Sequence, residues 1–467
     1  MTAALPVDHG SFRDPAGRVF DLGDRILRTV SEQGAGDYER LRRSDLLARL
    51  IGDRKLVAAT EVDGAALGAA GHSSRYVLEH PRLPFIAYPY EWSFSLLKAA
   101  ALFHLDLQCE AFDQGITLAD ASAYNVQFQG VAPIFIDYLS FRPYRDGEFW
   151  TGHRQFCEQF LNPLLLRALL GIPHNAWYRG TQEGIATEDL NRLLKWRHKL
   201  SWRVLSNVVF PARLQSGAAK RNTDDLKSVT ESKLPAAGYR AMLSQLRGWI
   251  AGLRPADQAQ STWQDYTDNN SYSADDEREK QSFVQDFIAQ RRPALLWDLG
   301  CNTGAYSALA LDSGAERVIG FDFDQGALER AYARAAAQSL PFTPLFLDAT
   351  NPSPDQGWNH RERKSLQARA GADALLALAF MHHLAIARNV PLEQVVGWLI
   401  ALAPSGVLEF VDKSDPQVER MLALRDDIFR DYRKEAFLAA VSAHARIIRS
   451  QALPSGSRLL VHYERAD

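Results

Sequence analysis

Hydrophobic and polar positions alternate in short runs near the start of the chain. Gly17-Arg-Val-Phe-Asp-Leu-Gly and Arg25-Ile-Leu-Arg-Thr-Val both read as strands. Tyr38 to Ile51 sets Leu and Arg at helical spacing and predicts one helix. Phe85-Ile-Ala-Tyr predicts a further strand, ending at Pro89. From Ser93 to Asp113 the period lengthens, and Leu96, Leu97, Ala100, Leu102, Phe103, Leu105 and Leu107 mark a helix. Gly115 supplies its stop. Val126-Gln-Phe and Ile134-Phe-Ile read as a hairpin across a Gly130 turn. Phe149 to about Leu205 is helical and rich in aromatic residues.

Residues 214–262 change character. A polar loop from Gln215, a helix from Gly238 to Leu253 and a second loop from Pro255 to Ser261 read as a linker region. Beyond it, strand and helix alternate. Strands are predicted at Ala294–Leu299, Arg317–Asp322, Leu345–Asp348, Asp373–Met381 and Val407–Val411. Helices are predicted at Ala305–Ser313 and Gly326–Ala336. This βαβα order implies a doubly wound parallel α/β sheet. Ile447-Ile448, a Pro454-Ser-Gly-Ser turn and Leu459–Tyr463 predict an antiparallel hairpin that closes it. The expected plan is an α+β domain over 1–213, divided near residue 90. A linker with a helix follows over 214–262, then a lid over 263–290 and the α/β domain over 291–467.

Composition narrows the chemistry. Of 467 residues, 46% are hydrophobic and 23% charged, which excludes a largely disordered chain. The net charge of −3 argues against a nucleic-acid coat, and no nucleic acid is expected as partner. Cys109, Cys157 and Cys301 are too few for a disulfide framework and have no zinc spacing. The N-terminus lacks a signal-peptide pattern, and no run approaches the roughly 20 apolar residues of a membrane span. A soluble cytoplasmic protein is expected.

The most specific motif is Trp297-Asp298-Leu299-Gly300-Cys301-Asn302-Thr303-Gly304, at the carboxyl end of a predicted strand, where doubly wound sheets bind ligands. The dinucleotide fingerprint fails, because Asn302 and Ala305 stand at its second and third glycines. A phosphate loop is also absent from this turn. The motif resembles that of class I S-adenosylmethionine (SAM)-dependent methyltransferases, with Asn302 in place of a middle glycine. The resemblance covers about residues 263–467 and implies a Rossmann-like methyltransferase domain with SAM as cofactor. It implies cofactor contacts from Asp298, Gly300, Cys301, Asn302 and Gly304. A second set would come from Asp322 and Phe323, and a third, near the adenine, from Asp348 and Ala349. No metal is implied there. Other roles stay open. Strand-end Asp residues also cap helices and form turns, which applies to Asp298 and Asp348, and Asp324 competes with Asp322.

Methyl transfer needs alignment and, for a hydroxyl or amine acceptor, a base. His382 and His383, at the end of the fourth strand, are candidates for that base or for packing. Glu409 and Lys413, at the end of the fifth strand, would orient an acceptor or form a solvated rim pair. Tyr266, Tyr272 and Lys280 lie where such enzymes carry a lid; the alternative is a docked linker.

The front half carries Asp120-Ala-Ser-Ala-Tyr-Asn125 and, across the hairpin, Asp137. This spacing resembles the acceptor-aligning Asp and the magnesium-holding Asn and Asp of protein-kinase-like folds, with Mg-ATP as the implied ligand. Leu118-Ala119 replaces the usual His-Arg, Tyr138-Leu139 follows Asp137, and no glycine-rich loop is found. The front half is therefore either a kinase-like phosphotransferase or a scaffold presenting the acceptor. The two-part plan as a whole also resembles a rhizobial nodulation-associated methyltransferase family, which implies a glycan-related or small-molecule acceptor.

Overall fold

The computed structural model describes residues 7–213, 233–257, 273–423 and 426–465. In the front half, strands β1 (Val19–Asp21), β2 (Ile26–Val30), β3 (Thr60–Glu61) and β4 (Tyr76–His80) form an antiparallel sheet in the order β1-β2-β4-β3. The single helix expected over 38–51 is two, Glu32–Arg42 and Asp45–Gly52. Ser44 breaks it: its backbone is extended, and its hydroxyl donates to the Leu41 carbonyl at 2.6 Å. The strand expected at Phe85 is absent. Pro81, Pro84 and Pro89 remove the donors a ladder needs, and β4, which the pattern did not announce, completes the sheet instead.

The long helix Phe94–Phe112 forms where the period predicts it, with the Ser93 hydroxyl accepting from Leu96 N at 3.3 Å. After it come β5 (Ile116–Leu118), the hairpin of β6 (Val126–Gln129) and β7 (Ala132–Phe135), and β8 (Phe141–Pro143), which pairs with β5. The helix Ala236–Gly252, placed in a linker by its flanks, packs into this half. Its Tyr239 stacks on Phe112 with ring centres 4.6 Å apart, and its hydroxyl accepts from Gln108 Nε2 at 3.0 Å.

The rear half is a seven-stranded sheet. Its strands are β9 (Leu296–Leu299), β10 (Val318–Asp322), β11 (Phe342–Phe346), β12 (Ala374–Ala377), β13 (Ser405–Val411), β14 (Arg446–Ala452) and β15 (Arg458–Glu464). The order is β11-β10-β9-β12-β13-β15-β14. The first five are parallel; β15 runs antiparallel between β13 and β14, as the closing hairpin predicts. Two boundaries move. β11 ends at Phe346, and β12 stops at Ala377, so that His382 and His383 sit on the helix Met381–Ala385. The helix Ala274–Arg291 covers part of the span read as a lid and buries Phe283, Val284, Phe287 and Ile288 against the sheet. Among the described residues no helix is long and apolar enough to cross a membrane.

The halves share one apolar core. Trp92 is fully buried and forms an antiparallel bridge to Leu345 on the edge strand β11. Thr343 on the same strand donates its hydroxyl to Gly130 O at 2.7 Å. Phe85 sets its ring edge-on to Trp297 and Phe321, at 5.6 and 6.0 Å. The connection from β11 to β12 crosses onto the front half, where Arg369 pairs with buried Glu91 and Arg363 lies 4.2 Å over the Tyr124 ring.

Candidate functional site

Three parallel strands, β10, β9 and β12, end side by side and carry the turns that build the site. The β9 turn needs left-handed backbone three times: φ is +78° at Gly300, +49° at Asn302 and +76° at Gly304. Asn tolerates this conformation better than other side chains, which explains how it replaces a glycine here. A Cβ at Gly304 would lie 2.4 Å from Phe342, so that position excludes a side chain as well.

Asp298 is buried at the end of β9 and accepts from the Ser307 hydroxyl at 2.6 Å. Burial pushes its carboxyl up to about 6, and the nearby Asp322 charge adds to the effect. Asp322 ends β10. Its two oxygens accept from Asn302 N and Asp324 N, both at 2.8 Å. Burial also raises it to about 6, against those bonds. Two carboxylates therefore face one turn, each costly to ionise without a partner. Asp324 caps the helix Gln325–Ala337 by accepting from Ala327 N at 2.6 Å. Phe323 is exposed beside Asp322, its ring 5.6 Å from Phe346. Asp348 turns the chain by accepting from Thr350 N and Oγ1 at 3.1 and 2.6 Å, with Ala349 half-buried next to it. Burial holds the Cys301 thiol well above its usual range, which makes it unreactive.

Behind the turns lies a buried ionic chain. Glu409 accepts from Lys280 Nζ at 2.7 Å and from Arg458 Nη1 at 3.0 Å, and Arg458 Nε reaches Asp415 at 2.9 Å. All four side chains are almost fully enclosed. Burial works to raise the Glu409 carboxyl, but the two cations outweigh it and bring it to about 2. Glu409 also accepts from Ala379 N at 2.8 Å, where φ is +49°. It thereby holds the turn that ends β12 and starts the histidine helix. Lys280 lies 4.8 Å over the Tyr306 ring. Glu409 and Lys413 do not pair, since Lys413 Nζ is held by Asp427 at 2.7 Å and Phe429 O at 2.7 Å. His382 is buried with no hydrogen-bond partner on either ring nitrogen, and its ring centre is 4.2 Å from that of His383. Burial lowers His383 to about 4 and His382 further, so both are neutral near pH 7. Tyr266 and Tyr272 lie outside the described residues.

In the front half Asp120, Asn125 and Asp137 converge. Asn125 Nδ2 donates to Asp120 at 3.2 Å and to Asp137 at 3.4 Å. Asp137 is taken by Arg28 of β2 at 2.6 Å and by the Ser140 hydroxyl. Among the described residues no group of three His, Cys, Asp or Glu side chains is arranged to hold a metal ion.

Sequence reasoning missed Arg458, Asp415 and Ser307. Arg458 opens β15 and Ser307 lies one turn into the helix Ala305–Asp312, so neither belongs to a motif. The signal available was an arginine directly before the apolar run Leu459-Leu460-Val461.

Strand order and the glycine turn after β9 define the rear half as a Rossmann-like α/β domain. No family model matches the chain. Over 458 residues it is 49% identical to the nodulation protein NoeA of Rhizobium meliloti (strain 1021), across 98% of this chain and 96% of the relative. The chain thus belongs to the NoeA family of nodulation proteins, in agreement with the resemblance to a nodulation-associated family. Among solved structures, the PH0226 protein of Pyrococcus horikoshii OT3 is 16% identical with a TM-score of 0.30, covering 42% of this chain and 94% of its own. The N-methyltransferase NodS of Bradyrhizobium japonicum WM9 is 11% identical with a TM-score of 0.30, covering 43% and 99%.

Proposed function

We propose that the chain is a SAM-dependent methyltransferase whose acceptor is a hydroxyl of a glycan or other small molecule. The observation that carries this reading is the pair Asp298 and Asp322. One buried and one partly buried carboxylate, both raised to about 6 and facing one glycine turn, fit a ligand bearing an ammonium and a diol. Bound SAM supplies a methyl group on a sulfonium, whose in-line displacement depends mainly on alignment. Asp298 would hold the ammonium, Asp322 the ribose hydroxyls, and Phe323 with Asp348-Ala349 the adenine. Gly300, Cys301, Asn302 and Gly304 shape the backbone wall. His383, or the partnerless His382, receives the acceptor proton on a ring nitrogen. A pKa near 4 makes His383 a weak base, suited to a proton that is already leaving. Glu409 and Lys280 position the histidine turn, and Lys413 lies toward the acceptor side. The relative's name adds a nodulation setting, which suits a glycan acceptor.

Calorimetric titration with SAM and S-adenosylhomocysteine tests the reading. The wild type should bind both, and Asp322→Asn should weaken binding at least about tenfold. Unchanged affinity in that variant would sink the assigned pocket.

A second reading, Mg-ATP phosphotransfer by Asp120, Asn125 and Asp137, draws on their convergence. The Arg28–Asp137 ion pair favours the alternative, a scaffold in which a guanidinium stands where a metal would bind. Under that reading, titration with Mg-ATP gives no heat.

A further inference from the structure

One surface of the front half answers to none of this chemistry. Between Leu193 and Arg213 the chain has five Lys or Arg residues (Lys195, Arg197, Lys199, Arg203, Arg213) and no Asp or Glu. Over the same stretch Trp196 is 76% exposed, Trp202 71%, Leu200 69% and Phe210 41%. The opposite side of the segment is anchored, with Leu190, Leu194, Val204, Val208 and Val209 buried in the core. The segment therefore carries apolar side chains on both sides, and among the described residues only one of these sides packs into the core. Among the described residues Lys195, Arg197, Lys199 and Arg203 make no salt bridge. Lys195 and Arg197 line a cavity of about 240 Å³ together with His198 and Asp257, the last paired with Arg167 at 3.1 Å.

We propose that this patch docks the protein on an anionic bilayer surface, with Trp196, Leu200 and Trp202 entering the headgroup boundary and the basic side chains meeting lipid phosphates. Charge complementarity selects the occupant. Exposed Trp beside Lys and Arg, with no acid in the segment itself and the neighbouring Asp257 held by Arg167, suits an anionic interface. Single-stranded nucleic acid would use the aromatic faces and the charges. It would leave Leu200 without a purpose, because bases stack on rings and not on aliphatic side chains. The attachment proposed is peripheral and reversible; among the described residues no helix is long and apolar enough to cross a membrane.

The test uses the full chain and extruded vesicles of phosphatidylcholine alone or with 30% phosphatidylglycerol, read by co-sedimentation. Wild type should sediment with the anionic vesicles and release at high salt. Lys195→Glu should weaken binding roughly fivefold or more, from the attraction a single surface charge provides. Trp196→Ala/Trp202→Ala should weaken it at least about tenfold, and both variants should keep wild-type circular dichroism and SAM affinity. Failure to sediment with phosphatidylglycerol vesicles would overturn the proposal, as would equal sedimentation of the double variant. Tight binding of an RNA oligonucleotide without vesicle binding would reassign the patch. A concentration-dependent dimer lost in the double variant, again without vesicle binding, would assign it to a second copy of the chain.

Discussion

Replacing Glu409 with Gln tests the buried ionic chain behind the site. The four groups Lys280, Glu409, Arg458 and Asp415 sum to zero charge in a space closed to solvent. Glu409→Gln leaves two cations against one anion. A buried charge deprived of its partner costs about 3–5 kcal/mol, far more than the intact pair contributes. Lys280→Met alone leaves the opposite imbalance, although Glu409 keeps Arg458 and Ala379 N. The double variant returns the charge to zero, with Arg458 still on Asp415. The second substitution, 129 residues away in sequence, should therefore restore about 2 kcal/mol of what the first removed. Urea unfolding followed by circular dichroism reads this as a midpoint that falls in Glu409→Gln and partly recovers in Lys280→Met/Glu409→Gln. Losses that simply add, or a Glu409→Gln loss below about 1 kcal/mol, would refute the reasoning.

Other consequences concern pH and backbone. Asp298 and Asp322 must ionise to hold a cation and a diol, so SAM affinity should drop below pH 6, by about tenfold per group at pH 5; a flat calorimetric profile from pH 5 to 7 would contradict it. Stability moves for a different reason. His80, His104, His174 and His383 are held near 4 by burial. Their contribution is fully present above the unfolded value of about 6.5 and is lost as pH falls toward 4. The two raised aspartates work in the opposite sense between about 4 and 6. With His382 lowered still further, five histidines act against two aspartates, so stability falls as pH drops below about 6, measurable in urea. Gly304→Ala, with its positive φ and its contact on Phe342, should cost about 2 kcal/mol or more and abolish SAM binding, both measurable on the purified variant.

The rear half was legible because its chemistry is local. A strand, a glycine turn and a helix follow one another at 296–312, and Asp324 declared its capping role through its position before a helix. The end of β12 was not legible. Apolar residues run on to Met381, and what stops the strand is Ala379 in left-handed conformation, held by Glu409 from 30 residues away. The same distance hid Arg458, which meets its partners only when the antiparallel strand closes the sheet. Phe85 reads as a strand residue by hydropathy; its surroundings are set by Trp297 and Phe321, which no local window contains. In the front half Asp120, Asn125 and Asp137 lie within hydrogen-bonding reach of one another. Arg28, far upstream in β2, fits no motif and changes what the three can do.

The edge of the rear sheet is closed by residues made much earlier. Trp92 waits for Leu345 through about 250 residues of synthesis, roughly 10–50 s at ordinary elongation rates. Throughout that interval Trp92 has only its front-half neighbour Phe128, 5.2 Å away, and the backbone groups that will meet β11 have no partner strand.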